Sequence, residues 1–318
     1  MRLLYINSMI KKKVYGNTLK EQLLAGTRDR LYNFLLADGT VRGVIMNGTR
    51  MVNEMRWNHE LGILETLVLG RAYLGIGLMS ASLKGNDRIS LQIECSGPIK
   101  GLVAEANAFN EVRGYLKNVP IPIEKSLEDF NLSPFFEAGF LTVTRYLEDA
   151  KQPFAGKAIL KYGNIAEDLA YYYLTSEQLP TAFNLSIQFD SKGGVTGAGG
   201  LFLQAMPGVS EKNAAGLENR VNDFPSLGTA FSEKNNPETL VLDIFKDYSP
   251  MLLGNRRVEF MCHCNTDKAR SMLSLLSIQE LEDIQENGPF PVEIRCHHCN
   301  TAYLFNKPDI RKIFRKRS

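Results

Sequence analysis

The sequence predicts an α+β protein in three blocks: an N-terminal mixed α/β core domain over residues 1–206, a helical linker over 207–255, and a small C-terminal zinc-binding domain over 256–318. Three observations carry this reading. Apolar and polar side chains alternate with period two in several stretches of the first block, with helical stripes between them. Residues 208–255 are polar for their length and hold only short helical stripes. Four of the five cysteines fall within residues 262–299, as a CxC clip and a CxxC clip.

The bulk properties fit a soluble globular protein. A chain of 318 residues, 44% hydrophobic and 23% charged, has the apolar material for a real core and suits two or three domains. A net charge of +2 gives no global field for a polyanion, although charge can be local. No secretion signal is expected, because the apolar run MRLLYINSMI is short and Lys11–Lys13 lie on the wrong side of it. Residues 64–83, LETLVLGRAYLGIGLMSASL, are interrupted by Glu65 and Arg71 and diluted by Gly70, Gly75 and Gly77. They predict a buried, closely packed helix rather than a membrane span. The expected location is the cytoplasm, where thiols stay reduced. Clustered cysteines there point to metal or redox chemistry.

The elements follow in order. RISLQIECSG (88–97) alternates and turns at Gly97-Pro98, as a half-buried strand does; FLTVTRYL (140–147) repeats the pattern and FAGKAILKYG (154–163) is a third strand. A helix starts at Asn164, which can cap it, with Glu167 three residues on. Ile165, Leu169, Tyr172 and Tyr173 fall near one stripe, and Pro180 marks the stop. FNLSIQF (183–189) and AGGLFLQAM (198–206) read as strands joined by SKGGVTG. In the linker, Leu217, Val221 and Phe224 form one short stripe, and Leu240, Val241, Ile244, Phe245 and Tyr248 a second. Helices this short are marginal alone and need a neighbour.

In the last block, Met272, Leu273, Leu276, Leu281 and Ile284 supply apolar helical positions. Ser277 with Glu280 makes a capping box, Gly288 ends that helix, and Pro308 suits the first turn of a final one. VEIRC, CHHC and AYLF read as a hairpin with a metal knuckle at its tip.

Cys262 and Cys264, then Cys296 and Cys299, present two thiolates from each clip, and together they satisfy tetrahedral zinc. A module of about 60 residues has a thin core and gains from such a staple. The site is either purely structural or a switch in which close thiols oxidise and expel the metal. His263, His297 and His298 beside the thiols could ease their deprotonation, act as spare ligands, or be solvated. His59 reads as a surface or capping residue, and Cys95 as an inert small side chain in a strand. Signals for catalysis are weak: GAGGLF fails the dinucleotide fingerprint, and there is no P-loop, GxSxG or HExxH. No enzyme activity is expected. The tail RKIFRKRS is basic and reads as a solvated terminus.

Taken together, the chain resembles the redox-regulated 33-kDa heat-shock chaperone (33-kDa chaperonin) family. The stretches that carry the resemblance are SASLKGNDRISLQIECSGPIKGLVAEAN (80–107), EVRGYL (111–116), IAEDLAYYYLTSEQLPTAF (165–183), AGGLFLQAMPG (198–208), FMCHCNTDKA (260–269) and RCHHCNTAYLFNKPDI (295–310). The resemblance implies an α/β substrate-binding domain, a helical linker and a zinc domain. It implies that Cys262, Cys264, Cys296 and Cys299 bind one zinc ion as thiolates in the reduced, inactive protein. On oxidation it implies the disulfides Cys262–Cys264 and Cys296–Cys299, with zinc release. Cys95 and the first 25 or so residues receive no role from it. The expected function is an ATP-independent holdase, active under oxidative stress, whose partners are unfolding client proteins and, once activated, a second copy of itself. Leu217, Val221, Phe224, Leu240, Ile244 and Phe245 are the expected client-binding residues.

Two other functions fit parts of the sequence. A zinc-module nucleic-acid binder would use RKIFRKRS and show salt-sensitive binding, although nucleic acid is not the expected partner at near-neutral net charge. A thiol oxidoreductase would use CHHC as a catalytic dithiol. That CxxC follows a strand, whereas dithiols of the thioredoxin type open a helix.

Overall fold

A computed structural model describes residues 9–11, 29–123, 131–210, 221 and 224–315. The chain divides into two compact units: Lys13–Phe260, and Met1–Lys12 together with Met261–Ser318.

The larger unit contains β1 (Arg30–Leu36), β2 (Val41–Asn47), α1 (Thr49–His59), α2 (Ile63–Met79), β3 (Arg88–Cys95), β4 (Gly101–Asn107), β5 (Glu111–Leu116), α3 (Ser133–Phe136), β6 (Gly139–Tyr146) and β7 (Phe154–Ile159). It continues with α4 (Ile165–Ser176), β8 (Thr181–Phe189), β9 (Val195–Ala205), α5 (Leu227–Ser232), α6 (Pro237–Ile244), β10 (Met251–Arg257) and β11 (Glu259–Phe260). One sheet runs β10-β1-β2-β9-β8, antiparallel throughout. The other runs β11-β5-β4-β3-β6-β7, antiparallel except where β11 joins β5 in parallel. The expected α+β class and the strands at 88–97, 140–147, 154–163, 183–189 and 198–206 are all present, with ends shifted by a few residues.

Helix α2 touches both sheets. Its apolar window is 89% buried inside this unit, which makes it a core helix. The glycines help it fit: a Cβ on Gly75 would sit 2.7 Å from Leu169 Cδ1, so a larger residue there would force the Leu169 side chain of α4 to move. The Tyr73 hydroxyl donates to the Gly114 carbonyl at 3.0 Å, which satisfies a buried polar group against β5.

Helix α4 starts as its sequence requires. The Asn164 side chain accepts from the Ala166 amide at 3.1 Å and donates to Glu167 Oε1 at 2.8 Å. It ends earlier than Pro180 suggests. Gln178 takes a left-handed conformation, with φ of 56°, and the Leu179 amide returns to the Tyr173 carbonyl, so the chain leaves the helix before the proline acts.

The linker segment packs within this unit. Helix α5 is capped by Ser226 and α6 by Asn236. Val221, Phe224, Leu227, Phe231, Val241 and Phe245 are buried against Phe34, Leu36, Val41, Ile45, Leu201 and Leu203 of the first sheet. Leu240 and Ile244 are half-buried at the edge of the same cluster. Leu217 lies outside the described residues. Met46 and Gly200 meet α2 instead, as alternation along β2 and β9 demands. Helix α5 can lie this close only because β9 carries Gly197, where a Cβ would come within 2.0 Å of the Gly228 carbonyl oxygen. Gly197→Ala is expected to displace α5 and to lower the unfolding free energy of this unit by about 1–3 kcal/mol, read from the thermal midpoint.

The end of the expected linker is not helical. Residues 251–257 form edge strand β10, paired antiparallel to β1 from Arg30↔Arg257 to Leu35↔Met251. The junction expected at 255/256 falls inside this pairing, and the unit ends at Phe260.

The smaller unit contains α7 (Thr266–Leu273), α8 (Ile278–Asn287), β12 (Val292–Arg295), β13 (Ala302–Phe305) and α9 (Lys307–Arg315). Ser277 and Glu280 form the expected capping box, and Gly288, with φ of 75°, ends α8. Strands β12 and β13 make the expected hairpin. The buried core is Ala269, Leu273, Leu281, Tyr303, Phe305, Ile310 and Ile313. Met272, expected among the apolar positions, is 63% exposed. The stripe of α7 runs through Ala269 and Leu273, and Met272 projects about 100° away from Leu273 around the helix.

Candidate metal centre

The chain brings its four clustered cysteines together through two local devices. Cys262 and Cys264 lie on the extended segment that leads into α7. Asn265 caps that helix by accepting from the Lys268 amide at 2.8 Å, and the Lys268 ammonium donates to the His263 carbonyl at 2.6 Å. Cys296 and Cys299 sit in a knuckle between β12 and β13. There the Asn300 amide donates to the Cys296 carbonyl at 2.7 Å, and the Cys299 amide to the same oxygen at 3.4 Å. Asn300 is left-handed, with φ of 57°, a conformation that asparagine tolerates better than most residues. The Cys296 amide closes the loop onto the Thr301 carbonyl at 3.0 Å.

The result is a compact cluster. All four Sγ atoms lie within 4.8 Å of one another. Cys262 and Cys296 are 3.8 Å apart, and Cys264 and Cys299 are 3.3 Å apart. Four sulfurs bound tetrahedrally at about 2.3 Å stand about 3.8 Å apart. The donor set therefore fits a metal that prefers thiolates. Cys262 and Cys299 are buried and Cys264 and Cys296 half-buried, so the cluster has one side toward solvent.

Four thiols this close share their protons unequally. Hydrogen bonding with Cys264, against an opposing effect of Cys296, holds Cys262 down at about 6. Cys296 is pulled far below the usual thiol range, first by Cys262. Cys264 and Cys299 are pushed up, again chiefly by Cys262. A bound cation offsets the mutual repulsion of four thiolates and displaces the remaining protons.

Outer contacts hold two of the sulfurs. The Tyr303 hydroxyl donates to Cys264 Sγ at 3.0 Å, and Cys299 Sγ lies 3.2 Å from Thr301 Oγ1. Sequence reasoning did not single out these two residues. The signal was present, since Thr301, Tyr303 and Phe305 alternate as buried positions through the end of the knuckle and β13. Of the three nearby histidines, His298 is half-buried, while His263 and His297 are exposed.

The other singled-out residues lie in the larger unit. Cys95 ends β3, half-buried opposite Gly139, and burial raises its pKa. His59 occupies the last position of α1, with its ring 6.2 Å from that of Phe260.

Residues 29–306 match the family described as Hsp33 protein, a span that includes all four cysteines. A "33 kDa chaperonin" of Ruminiclostridium cellulolyticum is 34% identical over 91% of this chain and 98% of its own length. One of Bacillus cytotoxicus is 31% identical over 90% of this chain and 98% of its own. The crystal structure of the 33 kDa chaperonin of Thermotoga maritima superposes with a TM-score of 0.83 at 32% identity, over 92% of this chain and 99% of that one. These names support a chaperone. With sequence and fold matched across both units, the chain belongs to the Hsp33 protein family.

Proposed function

We propose that this protein is an ATP-independent, redox-regulated holdase that protects unfolding proteins under oxidative stress. The observation that carries the proposal is the cluster of four sulfurs within 4.8 Å, set in a unit with only a small buried core. Cys262, Cys264, Cys296 and Cys299 would hold one zinc ion in the reduced state. Zinc, when bound, supplies a cation that cross-links the two clips and stabilises the fold of the unit.

Oxidation acts on the chain's own thiolates. Two thiolates and one hydrogen peroxide give one disulfide and two hydroxides, with two electrons passing from sulfur to the cleaved O–O bond. We assign the disulfides as Cys262–Cys264 and Cys296–Cys299, following the family resemblance. The Cys262–Cys296 and Cys264–Cys299 separations cross between clips, but tetrahedral ligation makes all pairs nearly equidistant, so these separations do not select a pairing. Once oxidised, the sulfurs no longer serve as thiolate ligands, and the C-terminal domain loses its staple.

The consequence reaches the larger unit through the chain. Met261 follows directly on β11, which has only two paired residues. β11 continues from β10, an edge strand with one neighbour. Release of this segment frays β10, whose Leu252 packs against the cluster that the linker helices bury, and loosens the docking of those helices. Val221, Phe224, Leu240, Ile244 and Phe245, with Leu217, then become surface for unfolded clients and for a second copy of the chain. The setting that fits is the reducing cytoplasm.

Suppression of aggregation of a chemically unfolded client tests this. Reduced, zinc-loaded protein should suppress weakly. Peroxide at mild heat should switch suppression on as zinc leaves, and reductant should reverse it. Cys262→Ser should uncouple activity from oxidant. If the Cys262→Ser protein switches like the parent, these thiols are not the sensor. Zinc loss without any gain in suppression reduces the cluster to a staple.

A further inference from the structure

Residues before the family-matched span reach the metal centre. That span begins at residue 29, yet Met9, Ile10 and Lys11 belong to the same compact unit as the cysteines. Met9 is 7% exposed. The Ile10 amide donates to Thr301 Oγ1 at 3.2 Å, although the Ile10 side chain itself is 48% exposed. Thr301 is buried at 4%, and its hydroxyl oxygen accepts from the thiol of the fully buried Cys299 at 3.2 Å, a direction that must reverse when Cys299 ligates as a thiolate. The Thr301 carbonyl also closes the knuckle by accepting from the Cys296 amide.

We propose that Met9–Lys11 is a clamp on the metal centre that fixes the Thr301 hydroxyl as hydrogen-bond donor to the Cys299 sulfur. A hydroxyl has one proton and two lone pairs. The Ile10 amide occupies one lone pair and so limits how the hydroxyl can rotate. A ligating sulfur carries no proton, so Cys299 can only accept, and the Thr301 proton turns onto it. A donor held against a ligand sulfur orients it and satisfies its remaining lone pair. Loss of such outer contacts costs roughly 10- to 100-fold in metal affinity. The N-terminal segment therefore slows metal loss from a buried ligand, and through it sets how readily the unit opens. This proposal rests on the metal-binding reading above.

The test uses full-length, reduced protein loaded with zinc, comparing the parent with Thr301→Val, Thr301→Ser and Ile10→Pro. Thr301→Val keeps the shape and removes the hydroxyl; Ile10→Pro removes the amide donor at a half-exposed residue, along with its side chain and the freedom of its φ. Release of zinc to a metallochromic chelator should be about tenfold faster in Thr301→Val and in Ile10→Pro. Thr301→Ser should restore the parent rate, which a purely structural role for the threonine methyl does not predict. Hydrogen exchange of the Ile10 amide should be slow in the parent and fast in Thr301→Val. A freely exchanging Ile10 amide in zinc-loaded parent protein, or equal release rates for parent and Thr301→Val, overturns the clamp. A parent that protects Ile10 but binds no zinc overturns the metal reading while supporting the contact.

Discussion

Chelation of the metal from reduced protein is expected to unfold residues 261–315 and to leave the strands β2 to β9 and helix α2 of the larger unit folded. Among the described residues, the core cluster of the small unit consists of seven buried side chains, from Ala269 to Ile313. A core of that size rarely supplies more than about 3–5 kcal/mol. Structural zinc supplies about 10–16 kcal/mol of apparent binding energy at neutral pH. The metal contribution exceeds the whole net stability available without it, so its loss decides the state of the unit. The larger unit has two sheets and a helix buried between them and contains none of the four ligands. Hydrogen exchange read by mass spectrometry separates the two. Protection should vanish at Leu281 and Ile310 on chelation and persist at Tyr73 and Leu201. A zinc-free, reduced protein that still protects Leu281 sinks the staple argument and the switch built on it.

The sequence announced local features well and distant ones poorly. The two cysteine clips, the Ser277–Glu280 box and the Asn164 cap each depend on a few adjacent residues, and each forms as read. Helix α2 was legible because glycines inside a long apolar run leave few other structures. Strand β10 was not legible. Its residues Met251–Arg257 are mostly exposed and show no clear alternation, because it is an edge strand defined by β1, from the opposite end of the unit. Burial and periodicity are silent when pairing supplies the order. The tie between Ile10 and Thr301 is hidden for the same reason, since no local pattern reports a contact across nearly the whole chain. Met272 shows a different limit. An apolar residue in a two-turn helix can fall either side of the stripe, and only packing decides which.

Replacing Phe245 by alanine is expected to make the reduced protein active without oxidant. Phe245 is fully buried at the end of α6. Its ring stacks on Phe34 of β1 at 5.9 Å and lies 5.8 Å from the ring of Phe224. Helix α6 has eight residues, too few to hold its shape in water without a neighbour. Removal of a buried phenylalanine costs about 3–5 kcal/mol, and here the loss falls on the docking of the linker rather than on the strands beneath. The sheet keeps its ladders, because Phe34, Ile45 and Leu201 remain on paired strands. Reduced Phe245→Ala should therefore keep its zinc, bind an apolar dye, lose exchange protection at Val241, and suppress client aggregation. Ile244→Ala, at a half-buried position of the same helix, should do so more weakly, which guards against an outcome produced by global unfolding. If Phe245→Ala loses protection at Val241 yet still needs peroxide, the linker is not what covers the client surface. Gating would then lie in the C-terminal unit alone, because the metal cluster and the linker helices would have been separated by one substitution.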